Sequence, residues 1–234
     1  MKLKYILCMA AFAGAFTACD VTDKSPIDSL TDASYWRTVQ DLKLYANGLY
    51  GNLDAPSVTK DNTSDNCVTT SYSSWLFNES SVPATAGSAG WTWGNIRTCN
   101  FFLQRYETVS GTESEIYQYV AEVRFFRALD YFGKIKAFGD VPWYEKDLQT
   151  TDKDELYKAR DSKDFVLGKI IEDLEFAITW LPDLGKQESG RLTKDAARTQ
   201  LDRVCLYYGT YKKYHNMYGK KLCCFSTYWW KKGL

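Results

Sequence analysis

The stretch Ala121-Glu-Val-Arg-Phe-Phe-Arg-Ala-Leu-Asp-Tyr-Phe-Gly-Lys-Ile-Lys-Ala-Phe-Gly-Asp-Val-Pro142 decides how the rest of the chain is read. Extended back to Glu115, it places apolar side chains at Ile116, Tyr119, Val120, Val123, Phe126, Leu129 and Tyr131. These steps of three and four lay one stripe along a helix. Thr112-Glu-Ser-Glu115 has the form of a capping box, whose hydroxyl and carboxylate satisfy free backbone donors at the helix start. Gly139-Asp-Val-Pro142 stops the helix, because glycine is free to turn and proline biases the residue before it to an extended conformation. The expectation is a long, amphipathic, sharply terminated helix.

Working outward, the same periodicity recurs. Thr38-Val-Gln-Asp41 offers a helix start, and Leu42, Tyr45, Ala46, Leu49 and Leu53 form a stripe, with Trp36 packed at its beginning. Ile96, Cys99, Leu103 and Tyr106 mark a second helix. Beyond Pro142, residues 143–160 read as polar and irregular, with Trp143-Tyr144 on the surface. Asp161 or Ser162 then opens a helix striped by Phe165, Ile170, Leu174, Ile178 and Leu181 and closed by Pro182. Thr193 opens a last one through Ala197, Leu201, Val204, Cys205, Tyr208 and Tyr211. Consecutive helices with short or medium connections predict a mainly α fold of stacked antiparallel helical hairpins with long irregular loops. Leu206-Tyr-Tyr-Gly-Thr-Tyr211 resembles part of a tetratricopeptide first helix, though no strict repeat of roughly 34 residues runs through the chain.

Composition excludes several functions. A hydrophobic content of 45% is enough for a sizeable core. Basic and acidic residues balance at 29 each, so there is no basic field to attract nucleic acid. One histidine, His215, and seven cysteines without a CxxC spacing argue against a metal site, and no motif calls for a cofactor. Cys67, Cys99 and Cys205 read as free, partly buried thiols. A glycosidase needs two carboxylates across a cleft. Glu172-Asp173 falls on a predicted helix and Asp152, Asp154 and Glu155 in a solvated charge run, so the chain does not read as an enzyme.

The first residues and one long loop carry the functional signals. Residues 1–18 have a charged start, an apolar run and small residues at the end, the pattern of a secretory signal. Phe16-Thr-Ala-Cys19 resembles a lipoprotein box, predicting lipidation at Cys19 and a membrane anchor. Residues 19–29 read as a polar tether, 30–216 as the helical domain, and 217–234 as an aberrant tail whose composition fits a shifted reading frame or truncation. Residues 55–90 are rich in Ser, Thr, Asn, Asp and Gly, and loops of that length are usually functional. Tyr72, Trp75, Trp91 and Trp93, beside Asp65 and Asn95, would suit a sugar: ring faces stack on axial hydrogens, while amides and carboxylates take hydroxyls. In the competing reading, Trp91 and Trp93 simply pin the next helix.

Arg124 and Arg127, with Glu122 beside them, could be solvated heads on apolar stems. Yet the run A-E-x-R-F-x-R-A, a Tyr-Phe pair and F-G-D-V-P resemble the signature of the SusD/RagB family of surface glycan-binding lipoproteins. Ile170-Ile-Glu-Asp-Leu-Glu-Phe-Ala-Ile178 with Leu181-Pro182, and Gly190-Arg-Leu-Thr-Lys-Asp-Ala-Ala197, resemble that family's next two motifs in the same order. The resemblance implies a tetratricopeptide-like, SusD-like helical fold, represented here by its N-terminal portion. Arg124, Arg127, Gly139, Asp140, Pro142 and Arg191 would then be structural motif residues, the arginines tying their helix to neighbouring turns or to the Asp140 loop. It further implies a lipid-anchored protein on the outer face of the outer membrane. Such a protein captures oligosaccharide or polysaccharide and passes it to a TonB-dependent transporter of the SusC type. The alternative is a helical-repeat scaffold that contacts the transporter without binding glycan.

Overall fold

A computed structural model of the chain describes residues 35–53, 70, 79, 82–85, 87 and 90–215. The expected signal segment, Cys19, the tether, the tail from 217, and Asp65, Cys67, Tyr72 and Trp75 lie outside the described residues. Among the described residues six helices follow in order: α1 Val39–Leu49, α2 Gly94–Leu103, α3 Glu113–Phe138, the single turn α4 Lys153–Leu156, α5 Lys163–Trp180 and α6 Lys194–Tyr214. Short 3-10 turns follow α1 at Tyr50–Asn52 and α2 at Tyr106–Thr108.

Local chemistry sets the helix starts. The Thr38 N–H donates to the Asp41 carboxylate at 2.8 Å, and the Thr112 N–H donates to Glu115 at 3.1 Å. The hydroxyls of Ser162 and Thr193 accept from the N–H groups of Phe165 and Ala196. Each supplies a partner for a donor that the first helical turn leaves free. At the other end of α3, Gly139 takes φ +75°, a conformation that other L residues rarely adopt. α1 is shorter than its stripe implied: it ends at Leu49, and Leu53 beyond the 3-10 turn is exposed.

Long helices adjacent in sequence run antiparallel. The Tyr117 ring meets Trp180, with centroids 4.8 Å apart, so the start of α3 lies at the end of α5. At the opposite end Asp140 accepts the Lys163 N–H at 2.8 Å. α5 and α6 are joined likewise, by Lys194 N–H to the Pro182 carbonyl and by the Lys212–Asp164 ion pair. Trp36 against Phe102 and the Tyr45 hydroxyl on the Thr98 carbonyl pair α1 with α2 in the same sense. α1 lies parallel to α3, fastened by the Ser110 N–H to the Arg37 carbonyl near their starts and by Tyr50 against Phe126 further on. The result is a stack of helical hairpins, as the periodicity predicts.

α3 is the axis of the stack and differs from the amphipathic helix expected of it. Val120, Ala121, Val123, Phe125, Phe126, Ala128, Tyr131, Phe132 and Ile135 are all buried, on every side rather than on one stripe. The cause is its neighbours: α1, α2 and α5 all pack on it, and α6 touches it as well. Burying each large side chain among these contributes on the order of 2 kcal/mol. Phe165, first member of the expected α5 stripe, instead stays half exposed at the helix start.

A helix enclosed in this way cannot leave charges unpaired. Arg127 donates from Nε and Nη2 to both oxygens of Asp173, each at 2.7 Å, and from Nη1 to Asn100 at 3.0 Å. Its partner is therefore a residue of α5 and not the Asp140 loop. Arg124 stacks on the Phe176 ring and reaches Asp173 at 3.9 Å. Glu122, wholly buried, receives two hydrogen bonds from Arg191 at 3.0 and 2.7 Å, and Arg191 also donates to Asn47. Burial pushes the Glu122 carboxyl above its ordinary value, with Arg191 and the Tyr50 hydroxyl pulling back. These two bidentate pairs tie α2, α3 and α5, and separately α1, α3 and the loop before α6.

Candidate functional site

The segment after α3 is drawn back over the bundle, and this creates the site. Val141 forms an isolated bridge with Asp161, and the Trp143 N–H donates to the Asp161 carboxylate at 2.7 Å. Trp143 is buried, contrary to the surface position expected, because its ring lies on Tyr131 at 4.1 Å between centroids. The Tyr144 N–H donates to the Tyr131 hydroxyl at 2.7 Å. Burial raises the Tyr131 hydroxyl well above its ordinary value, so it stays protonated. Asn100, buried on α2, donates to the carbonyls of Tyr144 and Lys146 and accepts from Arg127. Arg97 of α2 holds the buried Asp147 at 2.7 Å. The loop is thus fixed through its backbone, leaving the side chains of Tyr144 and Lys146 to face outward.

Opposite this loop, Trp91 and Trp93 lead into α2. Both rings are half-buried. They meet edge to face at 5.4 Å; Trp91 then packs on Phe138 and Trp93 on Tyr144. Each ring packs against the bundle, and each also lines an open cavity. That cavity, of about 580 Å³, is lined by Trp91, Trp93, Ile96, Pro142, Tyr144, Leu148 and Gln149 among others. Arg97, Lys146, Lys158 and Arg160 also line it. Asn95 does not join it: its side chain hydrogen-bonds Asp130 on α3.

Of the remaining expected residues, Arg124, Arg127 and Arg191 serve the helix packing described above. Gly139, Asp140 and Pro142 shape the turn that brings Tyr144 round to Trp93. Tyr144 and the cations were not among the expected site residues. They stand in an irregular segment, where no periodicity reports which way a side chain points. The Trp143-Tyr144 pair was the one available signal. Asp173, one of the carboxylates considered for catalysis, is engaged by Arg127. Among the described residues, no three His, Cys, Asp or Glu side chains gather as metal ligands. No helix among them is long and apolar enough to cross a membrane.

The family model SusD-like_3, described as "Starch-binding associating with outer membrane", matches residues 22–206. The chain belongs to the SusD-like family. A SusD-like protein of Bacteroides fragilis shares 32% identity and superposes with a TM-score of 0.65, over 81% of this chain and 39% of that one. A SusD-like carbohydrate binding protein from the same species, 22% identical, matches in fold with a TM-score of 0.62 over 76% of this chain and 39% of its own. SusD-like protein P2 of Formosa agariphila is 25% identical over 229 residues, which are 91% of this chain and 44% of that protein. The chain therefore spans less than half the length of these SusD-like relatives. The mainly α, hairpin-stacked fold agrees with its SusD-like neighbours.

Proposed function

We propose that this chain forms the N-terminal, helical part of a cell-surface glycan-binding lipoprotein. It captures oligosaccharides and passes them to a TonB-dependent, SusC-like transporter in the outer membrane. Binding occurs without catalysis. The observation that carries this reading is the family match across residues 22–206, in a family described as starch-binding and associating with the outer membrane. The cavity beside Trp91, Trp93 and Tyr144 supports a location for the sugar. Rigid rings give flat apolar contact, Lys146 and Arg160 offer donors at the rim, and Gln149, whose amide nitrogen donates to Asp147, offers its carbonyl oxygen. Asp65, Tyr72 and Trp75 belong to the connection that leads into Trp91 and are proposed to extend the same surface. Cys19 carries the lipid that holds the protein at the membrane.

Two measurements test this. The purified chain is applied to an array of oligosaccharides, where saturable binding of at least one class is expected and uniform absence of binding would overturn the reading. Cells producing the tagged full chain are labelled with palmitate. Incorporation lost in Cys19→Ala is expected, and incorporation that persists would remove Cys19 as the anchor.

A further inference from the structure

The lining of the aromatic cavity is one-sided in charge. Arg97, Lys146, Lys158 and Arg160 border it, and no Asp or Glu does, although the whole chain carries equal numbers of basic and acidic residues. Two of these cations are balanced from behind: Arg97 by Asp147 at 2.7 Å, and Lys158 by Asp161 and Glu155 at 3.4 and 3.6 Å. The other two are not so engaged. Lys146 and Arg160 are exposed, and neither forms an ion pair with a carboxylate among the described residues. Arg160 sits with its guanidinium carbon 4.8 Å from the Trp91 ring centroid, which holds the charge at the cavity wall beside an aromatic face.

The backbone adds to the same field. α2 begins at Gly94 on the cavity edge, its N-cap residue Trp93 makes no side-chain cap, and its first turn holds no acidic residue. The positive end of a ten-residue helix and its free N–H groups therefore open beside the four cations. A neutral sugar needs hydroxyl partners of both kinds, acceptors as well as donors. This lining supplies cationic donors in excess and no carboxylate.

We infer that the cavity selects acidic oligosaccharides, those whose pyranose rings carry carboxylate or sulfate groups. The rings of Trp91, Trp93 and Tyr144 take the sugar faces, while Lys146 and Arg160 take the anionic substituents. This inference rests on the glycan-binding reading above and assigns the ligand class at the same site.

The test is calorimetry with the full chain and three tetrasaccharides: tetragalacturonate, its carboxyl-reduced neutral counterpart of identical linkage, and a chondroitin sulfate tetrasaccharide. At low salt, at least one acidic probe is expected to bind roughly tenfold tighter than the neutral one, an advantage that shrinks as added salt screens exposed charges. Replacing both Lys146→Gln and Arg160→Gln reduces that preference to about threefold or less, two exposed charge contacts each being worth at most ~1 kcal/mol. Binding of the uronate alone or the sulfated probe alone upholds the inference and identifies the anion. Equal binding of the neutral probe, lost in Trp93→Ala, would overturn acidic selection and leave the glycan reading intact. Wild-type protein that binds none of the three overturns acidic selection, and the glycan reading then stands or falls on the oligosaccharide array. Thermal melting of each variant confirms that loss of binding is not loss of fold.

Discussion

Replacing Asp173 with asparagine removes one negative charge from the centre of the bundle and keeps the shape of the side chain. In the native protein the Asp173 side chain is 3% exposed and the Arg127 side chain 9%. Two hydrogen bonds of 2.7 Å join them, and Arg124 offers a second cation at 3.9 Å. After the change Arg127 remains buried with half of its fork facing an amide, and one of the amide's groups is a donor pointing at a donor. Breaking one side of a buried ion pair costs about 3–5 kcal/mol, because the remaining charge has lost its compensation. At ~2–4 °C per kcal/mol for a domain of this size, the melting temperature falls by about 10 °C. Urea denaturation followed by circular dichroism measures the change as a shift in midpoint at constant slope. Arg127→Met should cost a similar amount, since it strands Asp173 and leaves the Asn100 carbonyl oxygen without its guanidinium donor. Combining Arg127→Met with Asp173→Leu should recover most of the loss, apolar pairs often matching buried ion pairs in stability. If Asp173→Asn unfolds within ~1 kcal/mol of the wild type, Arg127 does not depend on this pair and the reasoning fails.

Other expectations follow from the same contacts. Arg191→Ala leaves the wholly buried Glu122 without its bidentate partner and should lower stability by about 3 kcal/mol in the same denaturation assay. Burial holds the Glu122 carboxyl above its ordinary value, so the native state keeps that proton more firmly than the unfolded state. The resulting stabilisation is complete below the unfolded value, near pH ~4.3, and is lost as pH rises through the higher native value. The margin of wild type over Glu122→Gln should therefore shrink as pH rises above the unfolded value, and a widening margin contradicts the assignment. Gly139→Ala meets no nearby atom but must adopt φ +75°, costing about 1–3 kcal/mol on unfolding. Cys99 is buried, and its thiol is pushed up to about 12. It should resist maleimide in the native protein and react once urea unfolds it.

The parts of the fold legible in the sequence were those written in local chemistry. Thr38, Thr112 with Glu115, Ser162 and Thr193 announce helix starts because a cap needs residues only three apart. The α6 stripe from Ala197 through Tyr208 is buried as its spacing implies. Relations across the stack were not legible. Nothing near Arg127 points to Asp173, 46 residues away, and the enclosure of α3 by three helices hides its second apolar face inside a mixed pattern. The site divides in the same way. Trp91 and Trp93 stood out by composition, whereas Trp143 and Tyr144, adjacent and alike, go to opposite environments because Tyr131 receives one as a ring and the other through its backbone. Lys146 and Arg160 acquire meaning only when the turn at Gly139-Asp-Val-Pro142 brings their segment back over α2.

Whether the cavity holds sugar is decided most directly by comparing the affinity of wild type and Trp93→Ala for an oligosaccharide that the chain binds, by titration calorimetry. The ring contributes one face of the cavity, and losing one aromatic stacking contact of ~1–2 kcal/mol should weaken binding by about tenfold. Tyr144→Leu, whose ring meets Trp93 edge to face, should weaken it comparably while melting near the wild-type temperature. Saturable binding that is unchanged in both variants would contradict a glycan site in the cavity that Trp93 and Tyr144 line.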